Sequence, residues 1–174
     1  MPAKFRYSTT YEVHGPFKVP TIPYRGWMQV DVSRLKGFFA ATGIAKKAGC
    51  YLFGLSRGEV YTPWYIGKTK RNFSVEAFER KHKIPHYNAV LRLKRRSPPV
   101  MFFLTRLEAR GRPSSDPHGP LERYLIQECV TINPELRNDH STTTDLFVIR
   151  GVIDIWVRGR RTTAASAFRC LLNV

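Results

Sequence analysis

A strongly apolar segment, Gly49–Leu55, constrains the fold more than any other stretch of this sequence. It is rich in aromatic and aliphatic residues, which is typical of a buried β-strand. The turn signal Ser56-Arg57-Gly58 follows, and a second strand is predicted from about Pro63 to Gly67. Because the connection is too short for a helical crossover, the two strands should form an antiparallel hairpin.

Helix and strand patterns flank this hairpin on both sides along the chain. Residues 1–30 are predicted to form short strand-like pieces that pack on the main body as an arm. The other predicted elements are a helix from Asp31 or Ser33 to about Lys46 or Lys47, a helix capped by Ser74 and broken at Pro85, a helix from His86 to Arg95, a central buried strand at Pro99–Leu107, a helix at Pro120–Val130, two strands at 147–149 and 152–156 or one bent strand around Gly151, and a last helix after Thr162 or Thr163.

The charge of the chain points to a polyanionic partner. Lys and Arg number 29 against 13 Asp and Glu, which gives a formal net charge of +16. Such an excess disfavours compaction but attracts nucleic acid first and an anionic membrane surface second. A basic protein without such a partner stays open as the alternative.

Cysteine usage and hydropathy indicate the compartment. The three cysteines, Cys50, Cys129 and Cys170, are widely spaced and odd in number, so neither a disulfide framework nor a zinc site is expected. Buried free thiols are the expectation instead. No segment approaches the roughly 20 apolar residues of a membrane span, and no signal peptide is evident. We therefore expect a soluble, cytoplasmic protein without a membrane partner.

The helix at Pro120–Val130 contains an unusual acid. Glu122 shares one helix face with Leu125, Ile126, Cys129 and Val130. A carboxylate directed inward costs several kcal/mol unless it is paired or bound to a cation. A salt bridge to an arginine at the rim of the core is the alternative to a ligand role.

Two tyrosines of the hairpin lie close to glycines. Tyr51 follows Gly49 and Tyr65 precedes Gly67, each by two residues. Glycine weakens a strand, so its presence indicates that a backbone or a ligand approaches closely. Ordinary strand aromatics remain the alternative.

A basic segment follows the second strand. Its cations lie in Lys68-Thr69-Lys70-Arg71 and in Arg80-Lys81-His82-Lys83. Given the overall charge, Lys68, Lys70, Arg71 and Lys83 are candidates for contacts with nucleic-acid phosphates, although solvated charge is the usual fate of such residues.

These motifs together resemble the GIY-YIG nuclease family. Gly49-Cys50-Tyr51 and Tyr65-Ile66-Gly67 match its two signature triplets, with Cys in place of the usual Ile or Val. Glu122-x-x-Leu125-Ile126, followed by Asn133-Pro134 and Asn138, resembles its metal-binding helix and the polar motif behind it. The resemblance spans roughly residues 48–140, which leaves residues 1–47 as an N-terminal arm and helix and residues 141–174 as a C-terminal strand and helix extension.

The resemblance implies both a fold and an activity. It implies a small α+β domain with a three-stranded antiparallel sheet flanked by helices, and a metal-dependent endonuclease that hydrolyses phosphodiester bonds in DNA, with RNA left open. Glu122 would hold one Mg²⁺ or Mn²⁺ ion. Tyr51 would be the general base or would position the attacking water, and Tyr65 would support it or orient the phosphate.

One part of the family pattern is stretched here. The family has an arginine on the first helix after the second triplet, followed by His or Tyr one turn later. Arg71 comes too early and Arg80 somewhat late, and His82-Lys83 with Tyr87 could serve instead. Arg80 with His82 is the favoured catalytic pair, and Asn138 would be a polar support. The alternatives are a catalytically inactive protein of this fold that binds nucleic acid, and a structural protein that binds an anionic partner.

Overall fold

The computed structural model describes residues 9–79, 81–107, 115–138, 148–149 and 163–172. The strands within these ranges are β1 (Thr10–Lys18), β2 (Thr21–Tyr24), β3 (Trp27–Val30), β4 (Gly49–Arg57), β5 (Val60–Thr69), β6 (Pro99–Arg106) and β7 (Val148–Ile149). The helices are α1 (Leu35–Thr42), α2 (Phe73–Glu76), α3 (Lys83–Leu93), α4 (Gly119–Ile132) and α5 (Thr163–Leu172), with a 3-10 turn at Val32–Arg34.

The main sheet is larger than the predicted three strands. In the described residues its order is β5-β4-β6-β1-β7, with β5, β4, β6 and β1 antiparallel and β7 parallel to β1. The α+β class, the hairpin and the central position of β6 are therefore confirmed. The predicted number of three strands in the sheet is wrong. The added antiparallel strand, β1, comes from the stretch predicted to pack on the main body as an arm. A bulge between His14 and Phe17 accommodates Gly15-Pro16 within this strand.

Each face of the sheet has its own core because side chains alternate along a strand. Cys50 and Leu52 point to the face covered by α4 and α5, whereas Tyr51 and Phe53 point to the opposite face. The second core also includes residues of β3, α1, α2 and α3. The two helical layers therefore lie on opposite faces of the hairpin that contains both triplets.

The second strand of the hairpin is longer than predicted. β5 begins at Val60, directly after a turn at Gly58 and Glu59, and runs to Thr69. Pro63 lies within it, beside a bulge that follows the pairing of Phe53 with Tyr65. An edge strand tolerates this proline because an amide N–H is not required on its outer side.

Several predicted helix boundaries need correction. α1 ends at Thr42 because Gly43 takes a left-handed φ of 68°. Asn72, not Ser74, caps α2 by accepting a hydrogen bond from the Val75 amide. α3 begins at Lys83, with Pro85 in the first turn, where no intrahelical donor is lost.

Two predictions of buried side chains are wrong. Val130 is 41% exposed, so it does not share the core face of α4, and the Cys170 thiol is exposed while those of Cys50 and Cys129 are buried.

None of the described helices is long and apolar enough to cross a membrane. The predicted strand at 152–156 lies outside the described residues, and the domain boundaries after 47 and 140 stay predictions.

Candidate functional site

The two triplets are packed against each other through glycine. Tyr51 is fully buried and lies directly opposite Gly67 in the β4–β5 register. A Cβ atom on Gly67 would lie 2.4 Å from both Cζ and Oη of Tyr51. Gly49 has a φ of +153°, and a Cβ there would lie 1.9 Å from the Leu104 carbonyl oxygen. A close approach at both glycines was thus predicted correctly, and the approaching groups are a tyrosine ring and a backbone of the protein itself.

The hydroxyl of Tyr51 is buried, and no hydrogen-bond partner for it occurs in the part of the chain that the structure describes. An unsatisfied hydroxyl costs roughly 1–3 kcal/mol. Burial raises the pKa of this phenol well above its usual range, and the neighbouring Tyr65 and Glu122 raise it further. At neutral pH, Tyr51 is therefore a protonated phenol that can donate a hydrogen bond.

Tyr65 lies diagonally across the strand pair from Tyr51, on the same face. The two rings stack with centroids 6.4 Å apart. The Lys83 ammonium donates a hydrogen bond of 2.5 Å to the Tyr65 hydroxyl and lies 4.8 Å from its ring centroid. His86 stacks on the same ring at 5.8 Å. Lys83, predicted as a contact for nucleic acid, is therefore the cation that meets a triplet tyrosine.

Glu122 lies on α4, across the sheet from the tyrosines. Its side chain is 21% exposed, and its Oε2 lies 3.2 Å from Nζ of Lys68. The same ammonium lies 2.6 Å from Oδ2 of Asp116. Burial lowers the pKa of Lys68, but the hydrogen bond to Asp116 and the charge of Glu122 outweigh this effect, so the net pKa is raised. The alternative of a salt bridge at the rim is therefore observed, with a lysine as the partner.

Asp116 is a site residue that the sequence reasoning missed. Its Oδ1 accepts a hydrogen bond of 3.1 Å from the Gly119 amide at the start of α4. A Cβ on Gly119 would lie 2.1 Å from the Asp116 carboxylate, so glycine leaves room for the acid. An Asp three residues before the helix start is a capping signal that sequence reasoning could have found in the Gly- and Pro-rich loop.

The polar motif after α4, Asn133-Pro134 with Asn138, covers part of the outer edge of β5. The Asn138 side chain accepts a hydrogen bond from the Ile66 amide (2.8 Å) and donates one to the Ile66 carbonyl (2.7 Å). The side-chain amide of Asn133 donates a hydrogen bond to the Pro63 carbonyl at 2.7 Å. Since Ile66 is the middle residue of the second triplet, Asn138 fixes the backbone between Tyr65 and Gly67.

Replacing Asn138 by alanine should therefore lower the free energy of unfolding by about 2 kcal/mol, since two hydrogen bonds to a strand are lost. Asn88→Ala serves as the control because, within the described part of the chain, the Asn88 side chain has one hydrogen bond, which it accepts from the Val30 amide. That variant should lose about 1 kcal/mol. Urea unfolding measures both, and equal losses would contradict the assigned role of Asn138.

Three of the remaining predicted residues, Lys70, Arg71 and His82, follow β5 in the chain and are exposed. The His82 side chain is 76% exposed and lies 4.0 Å from Glu79, so it does not join the tyrosines. Arg80 lies outside the described residues. The Lys70 ammonium donates to the Ser115 carbonyl at 2.6 Å, and Arg71 is exposed.

Comparisons with known proteins leave the site to be argued from its geometry. No family model, curated protein or solved structure matches this chain. The site combines the buried Tyr51 phenol with the Tyr65 phenol, which accepts a hydrogen bond from the Lys83 ammonium. Its third part is the Glu122 carboxylate, whose charge raises the pKa of Tyr51. These groups lie around Gly67 and Lys68 of β5, where the polar motif described above no longer covers the strand edge.

The acids that contact Lys68, Asp116 and Glu122, are the candidate ligands for a divalent cation. Among the described residues, no group of three or more His, Cys, Asp or Glu side chains is arranged to hold a metal ion. Mg²⁺ does not need such a cage, because it commonly binds one or two carboxylates, several waters and a substrate phosphate. Glu122 and Asp116 already share one cation, the Lys68 ammonium, so their oxygens fit this donor set.

Proposed function

We propose that this protein is a metal-dependent endonuclease of the GIY-YIG type that hydrolyses phosphodiester bonds in DNA. The observation that supports this proposal most directly is the buried Tyr51 hydroxyl, which has no partner among the described residues and lies over Gly67 beside Tyr65. A costly unsatisfied phenol at this position is accounted for if water or a phosphate oxygen is its partner.

The reaction assigned to this site is the attack of a water oxygen on phosphorus. One P–O bond forms, the bond to the leaving oxygen breaks, and the two protons of water end on the phosphate and the leaving hydroxyl. Tyr51 holds the attacking water by a hydrogen bond, in line with its raised pKa. Tyr65 orients the phosphate, and the Lys83 ammonium beside it balances the charge that grows on the phosphoryl oxygens.

Glu122, with Asp116 as a second carboxylate, is the proposed holder of one Mg²⁺ or Mn²⁺ ion. When bound, the ion supplies Lewis-acid polarisation of the phosphate and stabilises the leaving oxygen. The role of Lys68 in the free protein is to neutralise both acids until the ion and the phosphate arrive.

The alternative is a nucleic-acid-binding protein of the same fold that does not cut. The observation that favours it is the ion pair between Glu122 and Lys68, because a carboxylate that keeps this partner holds no metal. Both functions use the net charge of +16 for DNA binding.

A plasmid nicking assay separates the two functions. We expect conversion of supercoiled plasmid to nicked or linear DNA with Mg²⁺ or Mn²⁺, and none with EDTA. Lys83→Gln should reduce the rate by about 100-fold, since one charge-stabilising group is removed. Tight, salt-dependent binding by the native protein without cleavage in either metal would refute the proposed activity and favour the alternative.

A further inference from the structure

A groove runs from Tyr65 along the outer side of α3. One cleft of about 410 Å³ is lined by His86, Leu93 and Arg137, together with neighbouring residues. A second cleft, of about 540 Å³, shares Leu93 and Arg137 with the first and adds Arg92 and Arg95. We call this continuous depression the α3 groove and define it by His86, Arg92, Leu93, Arg95 and Arg137.

The α3 groove is basic and open to solvent. Arg92, Arg95 and Arg137 are exposed, and they bring three guanidinium groups to the walls of the second cleft. Glu135, the acid that lines the first cleft, is paired with Lys94 at 3.4 Å. Positive charge in a concave surface attracts a polyanion more strongly than the same charge on a flat face.

The groove is continuous with the proposed site. His86, which lines the first cleft, stacks on the Tyr65 ring at 5.8 Å. On a helix that rises about 1.5 Å per residue, Leu93 lies about 10 Å along the axis from His86. A B-form strand advances about 3.4 Å per nucleotide, so the groove is about three nucleotides long.

We propose that the α3 groove binds the sugar–phosphate backbone of the substrate strand for about three nucleotides to one side of the scissile phosphate. The proposal deepens the proposed function and rests on it for the position of that phosphate. Arg92, Arg95 and Arg137 contact successive phosphates, and the 60% exposed Leu93 packs between them against a sugar. Contacts of this kind set affinity and register and do not read sequence.

The test is DNA binding in EDTA, so that cleavage plays no part. Arg92→Gln, Arg95→Gln and Arg137→Gln are combined in one groove variant. A control variant combines Arg34→Gln, Lys36→Gln and Lys46→Gln, which are exposed, line neither cleft and remove the same three charges. Anisotropy of a fluorescent duplex is titrated at several salt concentrations, and urea unfolding checks that both variants fold.

The groove variant should bind DNA about tenfold more weakly or worse. Its plot of log affinity against log salt concentration should also be less steep, by about 2–3 units of slope, because each lost phosphate contact removes roughly 0.9 unit. The control variant should lose much less. Equal losses in both variants, or none in either, would overturn the proposal. Loss of binding to phosphatidylserine vesicles with unchanged DNA binding would also overturn it, in favour of a membrane surface.

The groove and the endonuclease proposal can fail separately. If the native protein does not nick plasmid but the groove variant alone loses DNA affinity, the groove stands and the catalytic assignment falls. If the native protein nicks plasmid and the groove variant binds like the control variant, the catalytic assignment stands and the groove falls.

Discussion

Glu122→Gln should reduce Mg²⁺-dependent cleavage of DNA by about 1,000-fold, or about 4 kcal/mol in the activation free energy. Glutamine keeps the size of the side chain and removes the charge that a divalent ion requires. Lys68 retains Asp116 at 2.6 Å, so the fold around α4 should persist. Nicking rates at saturating Mg²⁺ measure the effect, and near-native cleavage by this variant would refute the metal assignment.

Glu128→Gln provides the matched control, because Glu128 lies on the same helix and is partly exposed like Glu122. It should cleave at the native rate. A direct readout is the binding of Mn²⁺, followed by electron paramagnetic resonance, which Glu122→Gln should abolish and Glu128→Gln should preserve. DNA affinity of Glu122→Gln in EDTA should be unchanged or raised, since a negative charge beside the phosphate site is lost. If Mn²⁺ binding survives while cleavage is lost, Glu122 acts otherwise than as the metal ligand.

The elements predicted well are those with a single strong signal. β4 and β6 are continuous apolar runs between turn residues, and α4 begins with Gly119-Pro120 before an apolar stripe. Such segments bury enough surface to decide their own structure. α5 was predicted for the same reason, with Phe168, Leu171 and Leu172 buried.

The elements predicted poorly depend on neighbours distant in sequence. β1 contains Gly15-Pro16, which locally indicates a turn, yet pairing with β6 overrides that signal through a bulge. Pro63 was predicted either to begin its strand or to lie on a sheet edge, and only the strand order shows that β5 is an edge strand that extends back to Val60. Local propensity is a weak guide wherever tertiary pairing decides.

The candidate site was predicted in its residue types but not in its pairing. Tyr51, Tyr65 and Glu122 were selected on periodicity, glycine placement and resemblance. The partners Lys68 and Asp116 were not matched to Glu122, because a long lysine can reach either sheet face around an edge strand. Lys83 was not chosen over His82, because the helix was predicted only from His86, whereas α3 begins at Lys83 and leaves His82 before its first turn.

Gly67→Ala should lower the free energy of unfolding by about 3 kcal/mol, a large share of the roughly 5–15 kcal/mol typical of a domain. The new Cβ would lie 2.4 Å from two atoms of Tyr51, whose ring is held between Tyr65 and Phe73. Because the ring is fully buried, relief requires movement of the core or of β5. Urea unfolding measures the loss.

The control for added bulk is Gly37→Ala, since Gly37 lies in α1 where an added Cβ would meet no neighbouring atom within 4 Å. Alanine there should stabilise the protein by roughly 0.5–1 kcal/mol through helix propensity. A second comparison isolates the contact itself. Tyr51→Leu removes Cζ and Oη, so Gly67→Ala should cost under about 1 kcal/mol in that background if the two residues are coupled through this contact. The full cost of about 3 kcal/mol in both backgrounds would instead assign the effect to the strand backbone, and Gly67 would then have no part in seating Tyr51.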